Sequence, residues 1–540
     1  MKLKYKKTNL EIYIKNKQYD YNINTDIDVE YIRNLFNNSI GKLSQKHNSI
    51  EYWLMKLSER NTLTHDLFLD ICKIYLLKSL NKQYKNIEIY TNNITFYLYF
   101  SSFVKMSLKD ILFFEVKRIL IFNKPYLQTI KFLINKLIFI MKYKSKESAK
   151  PIQNTTIIQT WVSDNNFKNN SFKDSYYGDL FKYLQKKSKK VITWPVFYNV
   201  KNEAKAVSFI RKYNDDFILI EDYLKPADYL EAIKHFIKKR FLNLGIINIG
   251  NEDFSKVFKY YQNIETIEEV SLFYNFTKRL KEKRSNNIVF IHNHENMISE
   301  KALVLGVKKH LKDSKVIGYF HTTKPRNQLC LEYASLEEFN IAPKPELIIF
   351  NNYKYRKYFE NAFPEMRFKD GVAFKQLHLK NKIEKNNNKK NKVLVLFSGT
   401  NDEIKLMFDL LNNLKDDYEF IFRMHPMNRF NVKKYYKKEN YEVENEISLD
   451  ILLNQVLKVI STYSAVALES ALSGVSVGLL YNKKRLLLNP FDDTNIENYK
   501  LISNYKELES FLITNFKNKI VEQSFNIKDE NYKIFLEVTK

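Results

Sequence analysis

Four loops of this chain carry side chains suited to chemistry on an activated phosphate. In the first half, Ile291-His292-Asn293-His294-Glu295 and Tyr319-Phe320-His321-Thr322-Thr323-Lys324-Pro325-Arg326 each follow an apolar run. An imidazole with a pKa near 6.5 takes a proton from an attacking hydroxyl at neutral pH, so His321 is one candidate general base. Glu295 is the rival, because a carboxylate does the same work once burial raises its pKa. Each has a plainer use, His321 as a loop histidine bonded to a neighbouring strand and Glu295 as a helix N-terminal acid. Lys324 and Arg326 are candidates to hold an acceptor or a phosphate. In the second half, Arg423-Met424-His425-Pro426 precedes Ser461-Thr462-Tyr463-Ser464. The proline fixes where the His425 imidazole points, and a donor there can stabilise charge on a departing nucleotide. Ser461, Thr462 and Ser464 bring hydroxyls to a helix start, which suits phosphate binding or simple N-capping. Glu469 lies farther along that helix, within reach of a ribose or of an intrahelical partner. The turn Ser398-Gly399-Thr400 completes the donor-binding candidates.

These loops need strands to hold them. Thr156–Trp161, Lys190–Thr193, Phe217–Glu221, Asn287–His292 and Lys315–Tyr319 read as strands, with helices near 176–187, 226–240, 255–282 and 298–312 between them. Such alternation calls for a parallel sheet covered on both faces. Residues 380–392, rich in Lys and Asn, are too polar to bury anything and read as a linker. Beyond them Val393-Leu394-Val395-Leu396-Phe397 opens a second unit, with a helix near 403–414 and strands near 417–423, 457–462 and 476–481. The expected fold is α/β with two Rossmann-like doubly wound domains facing across a cleft: 1–379 as the acceptor half, 393–540 as the donor half. Within the first, residues 105–148 place Leu, Ile and Phe among lysines at helical spacing. They read either as a helical hairpin capping the sheet or as a basic membrane-surface element.

The chain has 540 residues and a formal charge of +27, spread along its length. Such a surface favours polyanions: nucleic acid, anionic membrane or phosphorylated lipid. Cys72 and Cys330 form no metal or redox spacing. No apolar run reaches the ~20 residues of a spanning helix, and no apolar segment follows the basic N-terminus, so the cytoplasm is the expected location. Peripheral attachment to the anionic inner membrane surface is an open alternative. Walker A, GxGxxG, HExxH and CxxC patterns are all missing, which removes the main signals for a kinase, a dinucleotide enzyme or a zinc hydrolase. No metal and no cofactor is expected. A basic nucleic-acid-binding protein is a competing reading, but no RRM, KH or helix-turn-helix signature supports it, and no nucleic-acid partner is expected.

At these residues the chain resembles bacterial glycosyltransferases of the two-Rossmann (GT-B) type that build surface polysaccharide, such as capsule or O-antigen. The His425-Pro426 element followed by Ser461-Thr462 is similar to that of sialyl-, polysialyl- and Kdo transferases, which use CMP-activated sugars. Asp174-Ser175-Tyr176-Tyr177-Gly178, Glu300-Lys301-Ala302-Leu303, Ala342-Pro343-Lys344-Pro345-Glu346 and Asn489-Pro490-Phe491 resemble, in that order, segments of surface-carbohydrate biosynthesis proteins. The Arg423-x-His425-Pro426 loop is also similar to that of polyglycerol-phosphate transferases. His321-Thr322-Thr323 departs from their His-Gly-Thr loop by a Thr in place of Gly. The resemblance implies a metal-independent transfer from a nucleotide sugar, a CMP-linked acidic sugar in its finer form, to a saccharide or lipid-linked acceptor. A CDP-glycerol-type polyol-phosphate transfer is the related alternative.

Overall fold

The computed structural model describes residues 1–145, 149–168, 171–213, 215–266, 269–380, 391–397, 399–415, 418–425, 428–514 and 525–539. Ser398, Pro426 and most of the expected linker lie outside the described residues. The chain begins with a small sheet, of which the sequence announced only the strand at Ile87–Tyr90. Strands β1 (Lys2–Tyr5), β2 (Glu11–Ile14), β3 (Lys17–Tyr19) and β4 (Ile87–Thr91) pair in the order β1-β4-β2-β3.

The first large sheet contains β5 (Gln153–Ser163) and β6 (Val191–Asn199); a two-residue hairpin, β7 (Asn248–Ile249) and β8 (Glu252–Asp253), stands apart from it. It continues with β9 (Asn286–Asn293), β10 (Lys315–Phe320), β11 (Leu347–Phe350) and β12 (Arg367–Asp370). The order is β12-β11-β10-β9-β5-β6, with all pairs parallel. The chain leaves β5 in one direction and returns in the other, so the sheet's topological switch point lies between β5 and β9.

The second large sheet holds β13 (Lys392–Leu396), β14 (Glu419–Arg423), β15 (Tyr441–Val443), β16 (Lys458–Ser461), β17 (Ser476–Leu480) and β18 (Tyr499–Ile502). Its order, β15-β14-β13-β16-β17-β18, is again all parallel, with the switch point between β13 and β16. The protein is thus α/β with two doubly wound sheets, as the alternation of elements implied.

Side chains alternate across each sheet because successive Cβ atoms point to opposite faces. Val393 and Val395 join one buried cluster with Phe408 and Phe422, whereas Leu394 and Leu396 join another with Leu452 and Leu468. In the first sheet Ile157 and Phe290 pack on one face, Ile158 and Ile291 on the other. Each such side chain contributes roughly 1.5–3 kcal/mol on burial, which is why these strands read as unbroken apolar runs.

Several expectations give way. Phe217–Glu221 is not a strand: after one bridge between Thr193 and Phe217 the backbone turns into a 3-10 helix at Ile220–Asp222, and Glu221 meets Lys136 at 2.9 Å. The helix expected over 255–282 is two, Ser255–Ile264 and Leu272–Glu282. The described residues of 105–148 form no hairpin; one helix, Leu108–Tyr143, runs through Pro125 without ending. The tail, assigned by sequence to the second domain, packs on the first. Asn526 N donates to Asn351 O at 2.8 Å, and Phe535 is fully buried beside Ile349, Tyr319 and Val372. Among the described residues no helix is long and apolar enough to cross a membrane.

Candidate functional site

Parallel register places all the loops of interest at strand carboxyl ends. In the second sheet Leu396 sits level with both Arg423 and Ser461, so the segments after β13, β14 and β16 leave from one edge. In the first, Gly318 pairs with His292, which puts the loops bearing His294-Glu295 and His321 side by side.

The Glu295 loop is strapped from within. Glu300, in the first turn of helix Ile298–His310, accepts the Glu295 and Asn296 backbone N–H groups at 2.8 Å each, and its Oε2 lies 3.0 Å from His294 Nδ1. Burial opposes the Glu300 charge, but His294 and the backbone donors more than offset it and hold its pKa low. His292, His294 and Glu300 bring three potential metal-ligand atoms within 4.8 Å, yet both Glu300 oxygens already accept backbone donors. Glu300 therefore positions the loop.

Glu295 and His321 meet: Oε1 and Nε2 are 3.3 Å apart, the imidazole buried and the carboxylate side chain a quarter exposed. Burial, reinforced by the Glu300 charge and opposed by Lys375, pushes Glu295 up to about 7. Burial, with Lys375 next, drives His321 well below its usual value. At neutral pH the imidazole is uncharged, and the proton that comes and goes belongs to the carboxyl. The edge of the Tyr176 ring meets His321 at 4.9 Å between centroids. Tyr176 follows β5 in a turn fixed by Asp174, whose Oδ1 accepts the Tyr176 and Tyr177 N–H groups at 2.7 and 2.9 Å. These residues flank the β5/β9 switch point.

Lys375 was not foreseen. Its residue is solvent-exposed, with Nζ 4.1 Å from the centre of the Tyr176 ring. The surrounding walls lower its pKa, and Glu295, Glu469 and Asp174 act in the opposite direction. Its charge also depresses His425, after burial. One ammonium thus stands within electrostatic reach of both sheets' loops. Next to it, Gln376 Nε2 donates to Glu469 Oε1 at 2.8 Å, tying helix Ala465–Leu472 of the second sheet to the first domain. In a chain with 88 Lys and Arg, no spacing distinguishes this lysine.

The remaining candidates divide. Ser464 is the N-cap of helix Ala465–Leu472, accepting Val466 N–H at 3.2 Å, and Ser461 Oγ donates to Thr462 O at 2.9 Å. The Thr462 hydroxyl is buried with no hydrogen-bond partner among the described residues, just before the start of the same helix. His425 is partly exposed, its ring against Gly399, and Asn428 Nδ2 bonds Gly399 O at 3.1 Å, joining the two loops. Thr400 and Tyr463 line a cavity of about 310 Å³ with Thr62, Asn401 and Arg485. Tyr463 also donates to Gln328 across the cleft at 2.5 Å. Arg423 turns aside to Ile447 O. Lys324 pairs with Glu332 at 3.3 Å over the Tyr358 ring, and Arg326 pairs with Asp493 at 2.6 Å. Both cations are therefore engaged with protein carboxylates, the second across the two domains.

Glu469 gives a stability prediction with a definite sign. Burial, opposed by Gln376 and Lys375, raises its pKa to about 7. The folded state keeps this proton where the unfolded chain has lost it, so the stabilisation present at low pH is lost as pH rises through about 7. Glu469→Gln keeps an acceptor for Gln376 and does not titrate. Its unfolding free energy relative to wild type should rise between pH 5 and pH 8 by an amount on the order of 1–3 kcal/mol, and its melting temperature with it. Thermal denaturation across that range measures it.

No protein-family model and no curated protein matches the chain. Solved structures overlap it loosely. A UDP-GlcNAc 2-epimerase from Methanocaldococcus jannaschii is 13% identical over 71% of this chain and 99% of its own, with a TM-score of 0.41. The glycosyltransferase SnogD from Streptomyces nogalater is 10% identical over 72% and 96%, at 0.33. The wall teichoic acid polymerase TagF is 13% identical over 77% and 90%, at 0.31. Overlaps of this quality carry no argument about activity. The chain's own topology makes the fold GT-B-like.

Proposed function

We propose that the protein transfers a glycosyl unit from a nucleotide-activated donor to an acceptor hydroxyl in the cleft between the two sheets. The observation that carries this reading is the convergence on Lys375 of Glu295 and His321 from one switch point and of His425 and Glu469 from the other side. Ligands of open α/β sheets sit at such points. The acceptor O–H lies against Glu295, which takes its proton as the oxygen attacks the anomeric carbon. The bond from that carbon to the donor phosphate breaks, and the nucleotide leaves with the electron pair. His321 keeps the carboxylate aimed. Lys375, His425 and the helix start at Thr462 and Ser464 offset the leaving-group charge. A CMP-linked acidic sugar is the finer form of the proposal, with Lys375 as the cation that meets the donor's carboxylate and a saccharide or lipid-linked acceptor.

Thermal denaturation with CMP, CDP, UDP and GDP tests the reading. One nucleotide family should raise the melting temperature by several degrees, because a ligand bound only to the folded state stabilises it. His425→Ala should abolish that shift and cut turnover about a hundredfold, leaving the ligand-free melting temperature within about a degree. Stabilisation by none of the four, or equal turnover in the purified variant, removes the assignment.

A further inference from the structure

The helix Leu108–Tyr143 holds an apolar face that nothing among the described residues covers. At 1.5 Å per residue it is roughly 54 Å long. Its inner side is fixed at both ends: Phe113 and Phe114 pack on Tyr5 with ring centroids 5.0 and 5.4 Å apart, and near the other end Phe139 meets Phe197 at 6.2 Å. Between them Lys136 pairs with Glu221, and Phe114, Pro125 and Thr129 are buried. The outer side is the opposite. Leu112, Leu120, Leu127, Ile134, Leu137 and Met141 are each more than half exposed. At 100° per residue they fall within an arc of about 100°, a strip along the helix broken by Lys109 in its first turn and by Asn123. Soluble monomers rarely leave such a strip in water.

Charge decides what covers it. The helix has two acids, and both face inward: Asp110 accepts Tyr5 N–H at 2.9 Å, and Glu115 binds the Tyr97 hydroxyl and Arg118 at 2.6 Å each. Three of its basic residues have partners: Lys117 donates to Asn92 O and Lys136 pairs with Glu221, both toward the protein, and the exposed Arg118 pairs with Glu115 one turn away. Lys124, Lys131 and Lys142 are exposed, make no ion pair among the described residues, and by the same angular count line one margin of the apolar arc. A second copy docked on this face would set lysines against lysines with no acid to meet them. A sheet of anionic headgroups over an apolar interior matches both features, with lysine stems along the boundary and ammonium groups among phosphates.

We propose that this helix is the protein's membrane-docking element, lying in the plane of an anionic bilayer with Leu120, Leu127 and Leu137 in the acyl boundary. The helix cannot span, because its inner side is held by protein and its hydropathy is too low. Its last turns lie against Phe197, which pairs with Val162 of β5, four residues beyond the Ile158–Ile291 pair. That is the carboxyl end of the sheet, from which Glu295 and His321 also leave. The inference stands on the helix alone and does not depend on the proposed reaction.

Flotation of the full chain with vesicles tests it. Wild type should bind phosphatidylcholine vesicles doped with phosphatidylglycerol and leave pure phosphatidylcholine largely unbound, with binding that weakens as salt rises. The triple variant Leu120→Gln, Leu127→Gln, Leu137→Gln keeps good helix formers and should lose more than about a hundredfold in partitioning at an unchanged melting temperature. Lys124→Gln, Lys131→Gln, Lys142→Gln should lose the preference for the anionic lipid. Binding that survives both variants, equal binding to the two vesicle types, or no binding by wild type overturns the proposal. A dimer in sedimentation velocity that the leucine variant dissolves, without vesicle binding, would assign the face to a second copy.

Discussion

Glu295→Gln should lower kcat/KM by about a thousandfold, the scale of a lost general base, and should erase the pH dependence of the reaction near neutrality. The wild-type rate should climb with pH and level off above about 7, where Glu295 has given up its proton. Glutamine cannot titrate, so the residual rate should be flat across that range. His321→Ala should act differently. The imidazole, 3.3 Å from the carboxylate, orients it, so its removal should cost about tenfold and move the limb without abolishing it. Were His321 the base, the limb would lie far below 7, because burial drives that pKa down, and Glu295→Gln would leave the limb in place. Stability separates chemistry from folding. A carboxyl with its folded pKa raised favours the folded state most at low pH, and that contribution is lost as pH rises through about 7. The uncharged glutamine avoids this loss, so Glu295→Gln at pH 8 should melt at or above wild type while turning over far more slowly.

The parts of this protein that were legible in its sequence are those where both faces of a strand are buried. Val393 to Leu396, Phe420 to Phe422 and Ile288 to Ile291 are apolar at every position because helices cover them on each side, and runs of that kind end where the ligand loops begin. Reading those ends led to His321, Glu295, His425 and Ser461, which the parallel register brings to the carboxyl edge of each sheet. Short strands were not legible. β1 to β3 are three or four residues long and partly exposed, so neither run length nor alternation marks them. Phe217 to Leu219 has strand composition, but the ion pair of Glu221 with Lys136 lies in the 3-10 turn that follows it. Roles set by partners distant in the chain were hidden as well. Arg326 reads as a phosphate ligand until Asp493 is seen beside it, and Glu469 reads as a ribose ligand until Gln376 is found on its carboxylate.

Lys375 is the clearest case of a residue that only the fold reveals, and its replacement is the sharpest test of how the two halves cooperate. Lys375→Met should reduce kcat/KM about a hundredfold, through loss of the cation that offsets leaving-group charge. It should also move the rising pH limb to higher pH, because Lys375 lowers the Glu295 pKa against burial and Glu300. The two effects come from one charge, yet they are separable: the rate loss persists on the plateau above the limb, where Glu295 is fully ionised, and the displaced limb shows only in the pH profile. Lys375→Arg should return the limb toward its wild-type position while recovering only part of the rate, since a planar fork does not reproduce a point charge. Because the residue is exposed, its methionine variant should melt within about a degree of wild type. A large drop in melting temperature would make Lys375 a structural counter-ion for Glu295 and Glu469. An unmoved limb with full activity would mean that the two sets of loops do not act on one substrate.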